Sequence, residues 1–572
     1  MIQYGLQHSF YKYRWSYNAW NHGDEATASK HRRLVCCRRD SAAFQAVVFS
    51  AQEEFVLTIG SDPLLWKGGA MRTVRCEVET AAPCRVEVKL IGLMEDDDRS
   101  LQADVLLEER HVKVPKRRLQ AVWIELHADE AAAPGAYQGA VRFYTRTLFE
   151  DEVLDATLTF ELTIRDHVLP APQDHAFYLD LWQHNCNIAR KYDAAYWSEE
   201  HFAVLDSYLH SLGQLGQKAV SVVVSEEPWS GQRTFLDAEP SDLNEYSIVP
   251  VVKRKDGSFH YDFSHLDRYV EMAERHGIRE EIEVFGLVNI WRQDEAGYGA
   301  LVEGFPDAIR VRYYDEAERR YAFIRSRQEL AAYIQALEAH FLAKGWMDRV
   351  RVVADEPDDI ALFKERMDCL RAIAPSFAYK AAINHAEFIG EQIEGLVDYV
   401  PILNCAAAEY EQLEQMRPFV KGKLAYYVCC APELPNTFLC SPSIESRIIP
   451  WLAEQLGLDG FLRWNYTVWP DHPLERLSYR PSSWKAGDTN FVYPGRMGRP
   501  MLSLRYKWLQ RGIRDYEYMQ QLKAAGKGEQ VQRLLEQVFR FKHPAELSPA
   551  ANKRADELYS LQPDAYDRLY DL

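Results

Sequence analysis

The sequence contains no run of about 18 apolar residues, the length that a membrane-crossing helix requires. Its opening, MIQYGLQHSFYKYRWSYNAW, lacks the basic stretch and following apolar segment of a secretory leader, so a cytoplasmic protein is expected. No CxxC pair and no HExxH occurs, and no metal is expected. The glycine-rich phosphate loop of nucleotide-binding folds is also missing, and no organic cofactor is expected. Long lysine or arginine runs are absent. The most basic stretch, HRRLVCCRRD at residues 31–40, is interleaved with apolar residues and reads as a strand with charged flanks. At a formal net charge of −18, the chain lacks the basic surface that nucleic acid demands, and anionic membranes repel it. The ten cysteines include the adjacent pairs Cys36-Cys37 and Cys429-Cys430. Sequence neighbours make poor disulfides, so these read as reduced thiols.

What is present is length and apolar content. With 572 residues, 47% of them hydrophobic, the chain supports two or three domains with sizeable cores. Aromatic residues make up 12%, including 14 Trp and 32 Tyr. Flat rings suit the faces of sugars, and they suit large cores equally well.

Up to residue 168 the pattern has period two. Val74, Cys76 and Val78 alternate in TVRCEVE, as do Val86, Val88 and Leu90 in RVEVKLIGL. Val122, Ile124 and Leu126 follow, then Leu158, Phe160, Leu162 and Ile164. Short alternating strands with turn signals imply an antiparallel β-sandwich over residues 1–168, and VLPAPQDH reads as the linker out of it. From residue 176 onward, about eight short apolar runs alternate with helical stretches. They are FYLDLWQ, AVSVVVS, EIEVFGLV, RVRVVADE, FAYKAAI, VDYVPILN, KLAYYVCC and GFLRWNY. Ser198 and Ser264 are candidate N-caps of two intervening helices. Eight β–α units predict a (β/α)8 TIM-like barrel over 169–520, with a doubly wound open sheet as runner-up. In SLRYKWLQRGIRDYEYM, residues Leu504, Trp508, Ile513, Tyr516 and Met519 recur at helical spacing. Residues 521–572 continue as a C-terminal helical tail, expected to pack on the barrel.

A barrel carries its chemistry at the C-terminal strand ends. The fourth strand ends in Asp355-Glu356-Pro357. Consecutive strand residues point to opposite faces, so one carboxylate would face in and the other out. That rule relaxes at a strand's last residue. Pro357 supplies no N–H, is expected to hold Glu356 extended, and stops the strand so that its tip projects into the mouth. Adjacent carboxylates repel, which raises one pKa and leaves a proton donor beside an ionised neighbour. Glycoside cleavage needs that division of labour. The plainer reading of DEPDD is a solvated loop.

The segment DGFLRWNYTVWPDHPLERLSYRPSSWKAGDTNFVYPG and the helix LRYKWLQRGIRDYEYM resemble the closing strand, loop and helix of glycoside hydrolase family 123. FYLDLWQHN, YDFSHLDRYV and VVADEP fit the same family, so the resemblance spans about residues 170–520. It implies a retaining exo-β-N-acetylgalactosaminidase that uses the 2-acetamido group of its substrate as nucleophile. Glu356 would then be the general acid/base. Asp355 would orient the acetamido group as it closes to an oxazolinium. The implied partner is an oligosaccharide or glycoconjugate with a terminal β-linked N-acetylhexosamine.

Other residues complete the expected site. Trp464, Tyr466 and Trp469 supply an aromatic floor, although alternation prevents all the residues of that strand from lining one pocket. Tyr426 and Tyr427 are candidates for the acetamide oxygen. His184 shares a strand face with Asp180 and Trp182 and lies nearest the tip. Asp488 is placed to bind a hydroxyl or to cap its loop. Glu226 and Glu227 end the second strand and would supply the nucleophile if the sugar lacked an acetamido group. A non-catalytic carbohydrate-binding protein is the remaining alternative. The oligomeric state is not set by the sequence, and a homo-oligomer is compatible with it.

Overall fold

Period-two alternation at the start of the chain builds two packed sheets. The structure is a computed structural model that describes residues 1–16, 23–60, 71–147, 150–228, 244–288, 301–477 and 484–572. One six-stranded sheet runs in the order Ile2–His8, Asp40–Ser50, Leu119–Ala128, Cys84–Glu95, Leu101–Leu106, Arg14–Trp15. The other runs His31–Arg38, Val153–Val168, Gly135–Thr147, Arg72–Thr80, Phe55–Thr58, His111–Val114. Val74, Cys76, Leu90, Val122, Ile124, Leu126, Leu158, Phe160, Leu162 and Ile164 meet in one core between the sheets. The expectation of purely antiparallel sheets is corrected at two places. His31–Arg38 lies parallel to Val153–Val168, and Phe55–Thr58 lies parallel to Arg72–Thr80.

The next 300 or so residues alternate strand and helix, as the shift from period two to helical spacing requires. The strands are β1 (Tyr178–Leu181), β2 (Ala219–Val223), β3 (Glu281–Phe285), β4 (Val350–Asp355), β5 (Ala378–Ile383), β6 (Leu396–Pro401), β7 (Tyr426–Tyr427) and β8 (Gly460–Arg463). All of their mutual pairings are parallel. Ladders join β2 through β6 in sequence order and join β7 to β8 and β8 to β1. Bridges Tyr399↔Leu424 and Ile402↔Tyr427 link β6 to β7, and Leu179↔Gln217 links β1 to the entry of β2. The pairing therefore runs round in a ring, whereas the alternative open sheet would end at two edges. Gly460 makes the join between β8 and β1 possible. A Cβ there would lie 1.8 Å from the carbonyl oxygen of Tyr178.

Alternation sorts the strand residues. Val223, Phe285, Val353, Ala382, Val400, Tyr427, Leu462 and Trp464 form the interior cluster. Their neighbours Val222, Val284, Val352, Ala381, Tyr399, Tyr426 and Phe461 pack outward against the helices. Ser198 caps its helix, accepting from the His201 N–H. Ser264 does not: it is the first residue of its helix, and Asp262 accepts its N–H at 2.9 Å instead. Helix Leu504–Leu522 buries all five of its predicted apolar positions. The outer face of the first sheet, through Val47, Phe49 and Trp123, joins the same core as the ring's helices. Beyond it, helix Gly528–Val538 buries Val531, Leu534, Leu535 and Val538. The following short turns dock through Tyr559 on Glu445 and through Asp567 on His8 and Arg447. No helix of the described residues is long and apolar enough to cross a membrane.

Candidate active site

Strand β4 points Val353 inward and Ala354 outward. Asp355, opposite Ala382 of β5, is the next inward position. Continued alternation would turn Glu356 out of the ring. The backbone prevents this. Glu356 does not adopt the extended conformation expected before Pro357; its φ is +47°, in the left-handed region. Its N–H still donates to the Ala382 carbonyl at 3.0 Å, so the residue stays tied to the strand tip while its side chain swings inward. Both carboxylates thereby come to one end of the ring, through a conformation that a non-glycine residue rarely adopts.

The Glu356 side chain meets Tyr427, whose hydroxyl donates to Oε1. The same hydroxyl lies 3.2 Å from Oδ1 of Asn384, the residue that follows β5. Burial pushes the Glu356 carboxyl above its ordinary range, and the bonds from Tyr427 and Asn384 partly offset that rise. Burial also raises the Tyr427 phenol, reinforced by the neighbouring Glu356 charge. The outcome is a carboxyl that holds its proton to higher pH than a free glutamate, as a general acid requires.

The predicted aromatic residues divide by strand face. Tyr427 and Trp464 face the interior. Trp484 lies 5.4 Å from Trp464 between ring centroids, and Trp182 meets Phe285 edge-on at 5.0 Å. Three expectations are corrected. Tyr426 faces outward and donates to the Ile449 carbonyl of helix Ser443–Leu456. The Tyr466 hydroxyl lies 2.7 Å from Ser211 Oγ, behind the ring wall. Trp469 donates to the Val492 carbonyl and packs on Tyr208. Each is held by partners in the outer layer and none borders the acidic pair.

His184 is buried, with Nε2 3.0 Å from the Trp464 carbonyl oxygen, and burial pulls its pKa down to about 4. It braces the backbone at Trp464, just past the end of β8. Asp488 is also fully buried. Burial pushes its carboxyl up to about 6, while Arg463 at 2.7 Å holds it in check. The indole N–H of Trp464 donates to Asp488 Oδ1 at 3.4 Å, so Asp488 fixes the orientation of that ring. Glu226 is paired with Arg312. The Glu227 side chain lies outside the described residues. Below the mouth, Lys380 sits among Asp180, Glu281 and Glu283, with Nζ 3.1 Å and 2.9 Å from the two glutamates. The Tyr178 hydroxyl is 3.0 Å from the same ammonium. This charged floor is sealed from solvent, which agrees with a structural place for Asp180.

Asn384 and Trp182 join the site beyond the residues expected from the sequence. Asn384 carried a signal, since it directly follows an apolar run at the same end as Glu356. Trp182 followed from alternation with Asp180.

A ring of parallel strands with an acidic pair and tryptophans at one end suits the cleavage of a sugar, and a family match fixes the class as a glycoside hydrolase. A family model described as glycoside hydrolase 123, catalytic domain, matches residues 182–522, more than half of the chain. The chain belongs to glycoside hydrolase family 123. A family 123 glycoside hydrolase from Clostridium perfringens, studied for glycolipid glycan hydrolysis, shares the fold. It is 18% identical with a TM-score of 0.76, over 100% of this chain and 98% of that one. A family 5 glycoside hydrolase from Bacteroides vulgatus is 13% identical over 60% of this chain and 67% of that one, and its TM-score of 0.32 carries no argument. No curated protein matched the sequence.

Proposed function

We propose that this glycoside hydrolase is a retaining exo-enzyme that removes terminal β-linked N-acetylgalactosamine from an oligosaccharide or glycoconjugate. The observation that carries the reading is the left-handed turn at Glu356, which brings both carboxylates of one strand tip to the mouth. Glu356 protonates the glycosidic oxygen as the bond breaks and later takes a proton from the attacking water. Asp355 accepts the N–H of the 2-acetamido group, whose oxygen attacks the anomeric carbon. The charge that develops on the resulting oxazolinium lies against the Asp355 carboxylate. An internal nucleophile needs no enzyme carboxylate in that role, because it is already positioned. Trp464, oriented by Asp488, supplies a flat surface for the sugar ring.

The scaffold is a (β/α)8 barrel over residues 169–520, between a sandwich at 1–168 and a helical tail at 521–572. The ring of parallel pairings supports this division. Ten free cysteines support a reducing, cytoplasmic setting.

The test is hydrolysis of aryl glycosides. Glu356→Gln is expected to lower kcat on a poor leaving group by roughly 10²–10⁴-fold. Asp355→Asn is expected to lose activity on N-acetylhexosaminides, and a thiazoline mimic of the oxazoline should inhibit the native enzyme. Efficient cleavage of a sugar lacking the acetamido group would overturn the mechanism and point instead to an enzyme nucleophile such as Glu226.

A further inference from the structure

Two segments inserted after β2 and β3 leave the ring at its C-terminal end and pair into a small separate sheet. Its strand order is Phe259–Tyr261, Val251–Lys253, Arg312–Asp315, Arg320–Phe323. One face is occupied. Phe259, Tyr261 and Tyr313 pack on the main core, Tyr261 meets Tyr333 at 5.3 Å, and Lys253 pairs with Glu329.

The opposite face is aromatic and turned to solvent. Register places Tyr314 opposite Tyr321 and Arg312 opposite Phe323, and residues two apart on a strand share a face. Tyr314 and Tyr321 meet edge-on at 5.3 Å, and Tyr321 is 68% exposed. The Arg312 guanidinium lies 5.4 Å from the Phe323 ring and 5.4 Å from the Tyr246 ring. Arg312 also pairs with Glu226, three residues beyond the C-terminal end of β2. A row of rings thus runs from the mouth outward along the sheet.

We infer that this face binds the leaving-group side of the substrate, a neutral glycan chain extending away from the scissile bond. The chemistry suits that occupant. Each sugar offers a flat C–H face to a ring and a rim of hydroxyls to phenol and guanidinium groups, and Glu226 already neutralises Arg312. A second copy of the chain fits less well. The edge strand opens with Arg320 and follows a turn bearing Glu316, Glu318 and Arg319, and such charges discourage edge-to-edge pairing. The inference rests on the exo-glycosidase reading and adds the part of the substrate that this reading leaves open.

The experiment uses the full chain carrying Glu356→Gln, titrated calorimetrically with two probes. One is a neutral tetrasaccharide ending in β-N-acetylgalactosamine; the other is the same glycan without that terminal sugar. Adding Tyr314→Ala and Tyr321→Ala is expected to weaken binding of both probes roughly ten-fold. The affinity for free N-acetylgalactosamine should fall much less. Tyrosine-dependent binding of the shorter glycan, with no cleavage of the longer one by the native enzyme, would uphold the platform and remove the exo-glycosidase reading. Cleavage of the longer glycan with no effect of the two substitutions on either affinity would overturn the platform alone. So would a shift from dimer to monomer in sedimentation of the double variant, which would make the face a self-interface.

Discussion

A left-handed backbone costs a non-glycine residue about 1–2 kcal/mol, and at Glu356 that cost falls on the residue whose carboxyl has the raised pKa. The Tyr427 hydroxyl both holds this carboxyl and lowers its pKa by bonding to it. The pH dependence follows with a definite sign. If Glu356 is the general acid, kcat/KM falls as pH rises through its folded-state pKa. Tyr427→Phe removes a bond that favours the ionised form, so the pKa rises further. The alkaline limb of the pH–rate profile is expected to move to higher pH, with kcat/KM about ten-fold lower at the optimum. An alkaline limb that stayed in place or moved downward would show that Tyr427 does not tune Glu356. The acidic pair itself was legible, because an apolar run ending in two acids and a proline marks a strand tip. Its geometry was not. Pro357 argued for an extended Glu356, and only the three-dimensional contact with Tyr427 and Asn384 accounts for the turn inward.

Among the elements, helix Leu504–Leu522 lies where the sandwich meets the ring, and it buries Arg505, Lys507, Gln510, Asp515 and Glu517 along with its apolar residues. Arg505 pairs with Asp104 at 2.9 Å, Lys507 with Glu125 at 2.8 Å, and Arg511 with Asp40 at 3.1 Å. Asp104 and Arg505 are both sealed from solvent. Asp104→Ala strands a buried guanidinium and is expected to cost about 3–5 kcal/mol in denaturant unfolding. The double variant Asp104→Leu with Arg505→Met should recover much of that loss. A single variant as stable as the native chain would show that Arg505 has found other counter-charges. The apolar side of this helix was readable from three- and four-residue spacing. The partners of its charged side were not readable, because they lie some 400 residues away in sequence. The same blindness misplaced Tyr426, Tyr466 and Trp469. Tyr426 and Tyr427 are adjacent on one strand and differ only in face, and Tyr466 and Trp469 lie beyond the end of β8, where alternation no longer sets direction.

Seen whole, the molecule is held by contacts between its first and last segments. The eight strands were legible because parallel strands buried on both faces read as continuous apolar runs. The ring's closure was not, since it depends on Gly460 approaching the backbone of Tyr178. The final turns are part of the same construction. Tyr559 donates to the buried Glu445, Asp567 lies 2.8 Å from Arg447, and the Tyr570 hydroxyl is 3.0 Å from Asp515. Removing residues 559–572 is expected to abolish a single cooperative unfolding transition and to expose helix Ser443–Leu456 to limited proteolysis. A truncated chain with native protease resistance would reduce those contacts to surface decoration.

Arg447 therefore has a consequence for the order of events on the ribosome. It lies fully buried in helix Ser443–Leu456, between Asp515 of the next long helix and Asp567 at the end of helix Pro563–Asp567. Neither counter-charge has been synthesised when that helix emerges. The sandwich strands find all of their ladder partners within the first 168 residues. Helix Ser443–Leu456 meets its first counter-charge 68 residues after Arg447 and its second 120 residues after it. A chain that has grown past Asp515 but not to Asp567 therefore offers Arg447 one of its two counter-charges, and the helix gains its full set of ion pairs only when the segment bearing Asp567 docks.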